Sequence, residues 1–243
     1  LCPHCQSILH YKSITYSNLG KYYCPKCDFK RPELNYAVTA LNELSLTGSS
    51  FDIDGTTFSI PIAGLYNIYN ALAAYSAAKF FGLSTEEIQA GFSKAQRVFG
   101  RQETFDVEDK EVMLNLIKNP VGFNQIVQLL SYEKESFSLG VLLNDNPADG
   151  QDISWIWDGD FEGLHALNAV DTAISGIRVE DLGVRMEVAG FENMKVFKTN
   201  AELIDWIRKA PTKKVNVLAT YTALLDLRKD FAKEGYLKEG MNG

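Results

Sequence analysis

The sequence predicts an α/β protein in two parts, a zinc-stapled N-terminal part with short antiparallel strands and a C-terminal domain built on a mainly parallel sheet. Three observations carry this. Cys2-Pro3-His4-Cys5 and Cys24-Pro25-Lys26-Cys27 form two knuckles whose paired thiolates can converge on one tetrahedral ion. Between Ala37 and Ile62, apolar stretches are broken by Gly48-Ser49-Ser50, Asp54-Gly55-Thr56 and Pro61, the punctuation of short antiparallel strands. From about Val121 onward, β-rich runs alternate with amphipathic stretches, the order that gives a parallel sheet flanked by helices.

The knuckles bracket Tyr11 to Tyr16 and Lys21 to Tyr23 around Ser17-Asn18-Leu19-Gly20, which predicts a β-hairpin with a four-residue turn and hence a zinc ribbon over residues 1–34. Cys2, Cys5, Cys24 and Cys27 are all the cysteines of the chain, so no thiol remains for a disulfide network, and a reducing compartment is expected. A disulfide pair or a redox Cys-x-x-Cys is the competing reading. A four-sulfur shell leaves no open position for water or substrate, so a structural staple is expected rather than a catalytic metal. Lys12, Lys21, Lys26, Lys30 and Arg31 beside the tyrosines fit either a nucleic-acid surface or a solvated charged face. The formal net charge of -7 opposes a dominant phosphate-binding surface on the whole chain.

Asn70 to Phe81 predicts a buried helix stopped at Gly82, and Ser84-Thr85-Glu86-Glu87 a capping box that opens a second helix with Ile88, Phe92 and Ala95 on its apolar stripe. In the C-terminal part, strands are expected at Phe137 to Leu143, His165 to Thr172, Met194 to Phe197 and Val215 to Ala219. Ala201 to Lys209 and Thr222 to Lys233 read as amphipathic helices. The domains are expected to span 1–104 and 105–243, with a boundary near Phe105. No apolar run approaches the roughly 20 residues needed to cross a bilayer, and no signal-peptide pattern opens the chain, so a cytoplasmic location is the default expectation.

Ligands of such sheets gather beyond the carboxyl ends of the strands, which directs attention to the loop after Leu143. Asn144 to Asp158 contains four aspartates and two tryptophans. One reading is a surface turn in which Asp152 or Ser154 caps a helix and Trp155 and Trp157 pack it. Others are a magnesium site, or a carboxylate that orients a histidine as in hydrolase triads. Of the three histidines, His4 and His10 lie in the ribbon and only His165 lies elsewhere. With every cysteine committed to metal, a complete internal Cys-His-Asp triad is not expected.

Gly64-Leu65-Tyr66-Asn67-Ile68-Tyr69-Asn70-Ala71-Leu72-Ala73-Ala74, followed by Gly100-Arg101-Gln102-Glu103, resembles the end of the Mur ligase central domain, with its G-x-H-N-x-x-N-A-x-A-A and G-R-x-E pattern. Together with the ribbon, Lys118-Asn119-Pro120-Val121-Gly122-Phe123-Asn124, the Ala148-Asp149-Gly150-x-Asp152-x-Ser154-Trp155-x-Trp157-Asp158 run and Thr220 to Arg228, the chain is similar to the amidating subunit within that family. The resemblance implies the end of a Mur-ligase central domain with an inserted four-cysteine zinc ribbon, followed by a Rossmann-like C-terminal domain.

It also implies a function: ATP-dependent amidation of the α-carboxyl of D-glutamate in lipid II, through an acyl phosphate, with ammonia from a GatD-type glutaminase partner. Asn67 would lie near the adenine and Arg101 near the ribose or phosphates, with helix capping by Asn67 and pairing of Arg101 with Glu103 or Glu108 as the competing readings. Tyr66 stands where the family has histidine, and Asn115 where Mur ligases often carry aspartate. Asp152, with Asp149 second, would complete the partner's triad. ATP and Mg would serve the intact protein, zinc the ribbon, and membrane contact would come only through the lipid-linked substrate. No G-x-x-x-x-G-K-[ST] loop occurs in the sequence, and Leu1 stands beside a metal ligand, so a fragment inactive alone is expected. A non-enzymatic zinc-ribbon module that binds nucleic acid or protein is the alternative class.

Overall fold

The computed structural model describes residues 1–16, 19–95 and 101–237, and for Thr15, Tyr16 and Arg101 the backbone alone. Two compact units, Leu1–Ala95 and Gln96–Gly243, divide the chain. The division lies ahead of the 104/105 boundary expected from sequence, which falls inside a strand of the second unit.

The first unit opens with the hairpin β1 (His10–Tyr16) and β2 (Leu19–Tyr23), antiparallel with His10 opposite Tyr23 and Tyr11 opposite Tyr22. Leu19 and Gly20 belong to β2 rather than to the turn. Gly20 is needed there, because a Cβ would collide with the Ser13 carbonyl of the neighbouring strand. Strands β3 (Val38–Leu44), β4 (Ser49–Ile53) and β5 (Thr56–Ile60) form the expected antiparallel sheet. Asp54 and Gly55, both at positive φ (50° and 74°), make the two-residue turn whose twist suits a hairpin.

Helix α1 (Leu65–Phe80) begins five positions earlier than its alanine-rich stretch suggests and ends at Gly82. There φ is +82°, and the amides of Gly82 and Leu83 reach back to Lys79 and Ala78. The Ser84 box opens α2 (Thr85–Ser93): Ser84 Oγ accepts from the Glu87 amide at 3.2 Å, and Glu87 accepts from the Ser84 amide at 2.8 Å. Phe51, Ile53, Phe58, Ile60, Ile68 and Tyr75 form the core between sheet and helices, with the Tyr75 hydroxyl donating to Asp54 at 2.9 Å.

The second unit is a six-stranded sheet. It contains β6 (Arg101–Val107), β7 (Lys110–Leu116), β8 (Phe137–Leu142), β9 (Ala169–Ser175), β10 (Lys195–Val196) and β11 (Lys214–Ala219), in the order β10-β9-β8-β11-β7-β6. All neighbours are parallel except β6, which returns antiparallel to β7. Helices α3 (Pro120–Leu130), α4 (Phe161–His165), α5 (Val179–Val188), α6 (Asn200–Arg208) and α7 (Tyr221–Lys233) accompany it, with a 3₁₀ turn at Ser154–Trp157.

The sequence pattern does not announce the β6–β7 hairpin, and one strand is displaced. His165 to Thr172 does not form a strand throughout: Asp160 accepts from the Gly163 amide at 2.8 Å and starts α4, which buries Phe161 and Leu164 and carries His165. The strand runs later, from Ala169 to Ser175. Every residue of β8 is buried, as a central parallel strand requires.

The parallel strands end together. Leu142 lies opposite Ala219 and Ser175, and Ala219 opposite Leu116. Four strand ends thus meet one edge of the sheet, and the loops that follow them leave from a common line.

Candidate functional site at the carboxyl edge of the parallel sheet

The loop after β8 is fastened residue by residue. The Asn144 amide donates to Thr220 Oγ1 at 2.8 Å, its side-chain carbonyl accepts from the Ile177 amide at 2.8 Å, and its Nδ2 donates to Thr222 Oγ1 at 2.9 Å. Asp145 pairs with Arg178 at 2.8 Å, and Arg178 also binds Asp181 at 2.7 Å. Those hydrogen bonds, to Asp181 first and then Asp145, raise the Arg178 pKa above its ordinary value and hold Asp181 below the usual carboxylate range. Gly176, at φ +107°, carries the chain over the Leu143 backbone, where no Cβ would fit.

The two candidate aspartates have different surroundings. Asp149 is 4% exposed, and its carboxylate accepts from the Thr222 amide (2.7 Å), the Thr222 hydroxyl (2.6 Å) and the Asn146 amide (3.1 Å). It thereby serves the amino end of α7, whose own N-cap residue Thr220 has its hydroxyl engaged by the Asn144 amide. Asp152 is exposed, and one oxygen accepts from the Ser154 amide at 2.8 Å. Hydrogen bonding by the Ser154 side chain and amide holds its carboxyl below the ordinary value, so Asp152 is ionised at neutral pH. The 3₁₀ turn that follows takes Ile153 as its N-cap and carries no side-chain cap, so the capping reading of Asp152 or Ser154 is not borne out, and the bond from the Ser154 amide closes a local turn.

Asp152 lines an open cavity of about 570 Å³ with Ser154, Trp157, Arg178, Asp181 and Val184. One lining residue, Ile156, is held from behind. Arg185, 3% exposed, donates to the Ile156 and Gly159 carbonyls at 2.9 and 3.0 Å and to both oxygens of Glu162 at 2.8 Å, with its guanidinium 4.8 Å from the Phe161 ring. Glu162 is accordingly pulled down to about 2, by Arg185 above all. Trp155 packs near Phe123, in line with its expected packing role, whereas Trp157 lies over Arg185 and is 54% exposed, so that role does not hold for it.

Among the described residues, the loop aspartates do not converge as a cation site would require. Ligand atoms gather instead at the four cysteines, and at a set in which His4 and Asp28 share Cys27. The four sulfurs lie within 4.8 Å of one another, with Cys2 to Cys27 at 3.5 Å and Cys5 to Cys24 at 3.4 Å. A tetrahedral ion with sulfur at about 2.3 Å needs sulfurs about 3.8 Å apart, whereas a disulfide needs about 2.05 Å. All four cysteines are free thiols, and their spacing fits the ion. The knuckles match in backbone as well: the Cys2 amide donates to Ser7 O and the Cys24 amide to Phe29 O, both at 2.7 Å.

Asn67 does not cap α1, since the helix starts at Leu65. Its Nδ2 instead donates to Ala63 O at 2.7 Å and its carbonyl accepts from Asn70 at 3.3 Å. Arg101 opens β6; its side chain and Gly100 lie outside the described residues. Both carboxylates expected to pair with Arg101 are engaged by other arginines, Glu103 by Arg228 at 3.0 Å and Glu108 by Arg208 at 3.5 Å. Sequence reading missed Arg178, Arg185 and Thr222. Thr220 to Leu224 stands out as a motif, but nothing in it announces contacts more than 70 residues away.

The fold defined by these elements is Mur-ligase-like. Over 96% of this chain and 48% of the other, it superposes on a pseudomurein peptide ligase type C from Methanothermus fervidus with a TM-score of 0.64 at 21% identity. The MurF structure from Acinetobacter baumannii gives 0.59 at 22% identity over 81% of this chain and 44% of the other.

Within that class the chain is similar to the MurT subunit. Residues 116–224 match the family described as MurT ligase C-terminal. The whole chain is 45% identical to the Streptococcus pneumoniae protein named lipid II isoglutaminyl synthase (glutamine-hydrolyzing) subunit MurT, covering 55% of it. Its Staphylococcus aureus counterpart is 34% identical over 84% of this chain and 47% of its own length. The chain thus spans about half the length of the curated relatives it matches. The expectation drawn from the sequence motifs holds at the level of this subunit, and the binding-module alternative is not favoured. No helix among the described residues is long and apolar enough to cross a membrane.

Proposed function

We propose that this chain is the ligase-side portion of a glutamine-dependent amidoligase acting on lipid II in peptidoglycan synthesis. In the reaction we assign to the intact protein, the α-carboxylate of D-glutamate attacks the γ-phosphorus of ATP, releasing ADP and leaving an acyl phosphate. Ammonia then displaces phosphate to give the amide of D-isoglutamine. Asn67 and Arg101 are proposed to contact the nucleotide, and Mg to neutralise its phosphates. Residues 105–243 are proposed as the domain that meets the partner, a GatD-type glutaminase that liberates the ammonia.

The observation that carries this reading is Asp152: an exposed, ionised carboxylate, fixed by Ser154 at the carboxyl edge of the sheet, in a chain whose four cysteines all gather at one site in the other unit. A carboxylate so held suits the third member of a triad, keeping a partner histidine in the right tautomer and stabilising its protonated form. Asp149, buried and occupied by Thr222 and Asn146, is the weaker choice for that task. Cys2, Cys5, Cys24 and Cys27 would hold zinc, which would supply a structural cross-link and no chemistry on substrate. Asp152→Asn in the assembled complex is expected to slow glutamine hydrolysis at least about 100-fold. Unchanged hydrolysis by an intact complex would overturn the assignment. The isolated chain should show no tight ATP binding by calorimetry.

A further inference from the structure

Between the fixed sheet edge and Asp152 lies a short stretch of loop, and a single hydroxyl gathers it. Thr222 Oγ1 donates its proton to Asp149 Oδ2 at 2.6 Å and accepts from Asn144 Nδ2 and Asn146 Nδ2, each at 2.9 Å. One donor and two lone pairs are thereby all used, so the hydroxyl is a saturated node. Three loop residues are tied at one point, and the node is reinforced by backbone: the Thr222 amide binds Asp149 at 2.7 Å and the Asp149 amide binds Asn146 O at 2.8 Å. Gly150, at φ +93°, then turns the chain, and only Gly150 and Gln151 separate the knot from Asp152. On the other side Asp152 is pinned to Ser154, which opens the 3₁₀ turn whose Ile156 is buried and whose carbonyl is held by Arg185. Asp152 thus sits a few residues from an anchor on either side.

We propose that Thr222 is a positioning residue: its hydroxyl ties Asn144, Asn146 and Asp149 into a knot that sets the Asp152 carboxylate for the histidine of a glutaminase partner. This rests on the reading of Asp152 given above. It also gives Asp149 a task, which is to hold the loop on the amino end of α7 rather than to meet the partner. Valine at position 222 would keep the shape and remove the node, leaving two amides and a buried carboxylate oxygen without their shared partner. A misplacement on the scale of 1 Å at a catalytic constellation can cost about 100-fold in rate.

The test uses the assembled complex with Thr222→Val, Thr222→Ser, Asn146→Ala, Asp152→Asn, and the first and third each combined with Asp152→Asn. The readouts are kcat and KM for glutamine hydrolysis, with melting temperature alongside. Thr222→Val should lower kcat roughly 10- to 100-fold with KM little changed. Thr222→Ser, which keeps the hydroxyl, should restore most of it. Asn146→Ala removes one arm of the knot and should give a smaller loss, which serves if the valine variant fails to assemble. In the Asp152→Asn background neither change should slow the residual rate further, because a residue that acts through Asp152 has nothing left to position. Losses that multiply with Asp152→Asn, or Thr222→Val and Asn146→Ala complexes as fast as the unmodified one, would sink the proposal. A silent Asp152→Asn would sink the underlying reading, and the role of Thr222 with it.

Discussion

The cysteine knuckles and the loop after β8 are held in place by different means. Around the ribbon little is buried: Cys2, Gly20 and Cys24 are, but Ile8, Ile14 and Leu19 stand 71%, 65% and 47% exposed. Its geometry depends on four sulfurs meeting at one point. The β8 loop leaves a strand with no exposed residue and is tied by side-chain hydrogen bonds to segments far away in sequence. With the proposed zinc at its cysteines, the ribbon should fail all at once when the ion goes, whereas a loop moored on a packed sheet should fail only with the sheet.

The largest expected effect follows from the ribbon. Cys24→Ser, or a strong chelator, should abolish metal stoichiometry and forfeit a binding free energy on the order of 10 kcal/mol. Amide exchange should rise in residues 1–30 while that of β8 and β11 stays slow. Fast exchange in those strands too would break the contrast. Next comes the sheet unit, where Phe231→Ala removes a fully buried ring packed 4.9 Å from Phe105. A loss of about 3–5 kcal/mol in chemical denaturation is expected, with metal content unchanged.

A smaller effect concerns the Arg185–Glu162 pair. Glu162 has its pKa depressed to about 2 by Arg185, so its stabilising pair is fully formed above the ordinary carboxylate value of 4.5 and is lost as pH falls toward 2. Because Glu162 is largely exposed, solvent screens the gain. Glu162→Gln should flatten the acid limb of a melting-temperature profile between those values; an identical limb would remove Glu162 from the account. The smallest effect compares like with like, since a capping box opens α2 at Ser84 and another opens α6 at Thr199. Ser84→Ala and Thr199→Ala should each cost about 1 kcal/mol, in their own unit.

What could be read in advance follows the same division. The cysteine spacing, the Ser84 box, β8 and β11 rest on residues adjacent in sequence, and their local chemistry states the outcome. The β6–β7 hairpin escapes such reading because Arg101 to Val107 is mostly polar and gains its place from pairing with β7. At His165 the apolar neighbours Leu164 and Ala166 fit strand or helix alike, and Asp160 as the cap decides for helix. Asp149 and Asp152 differ little as letters three positions apart. What separates them is Thr222, 73 residues beyond Asp149, and such a contact exists only once β8 and β11 lie side by side.

The strands that end together at one sheet edge also bear on how such a molecule can change over generations. A residue gained or lost inside β8 would turn each following side chain to the opposite face and pull Asn144 off its mooring at Thr220 and Ile177. Length variation is therefore tolerable only beyond Leu142, Ser175 and Ala219, so inherited novelty in this unit has to be written in the loops.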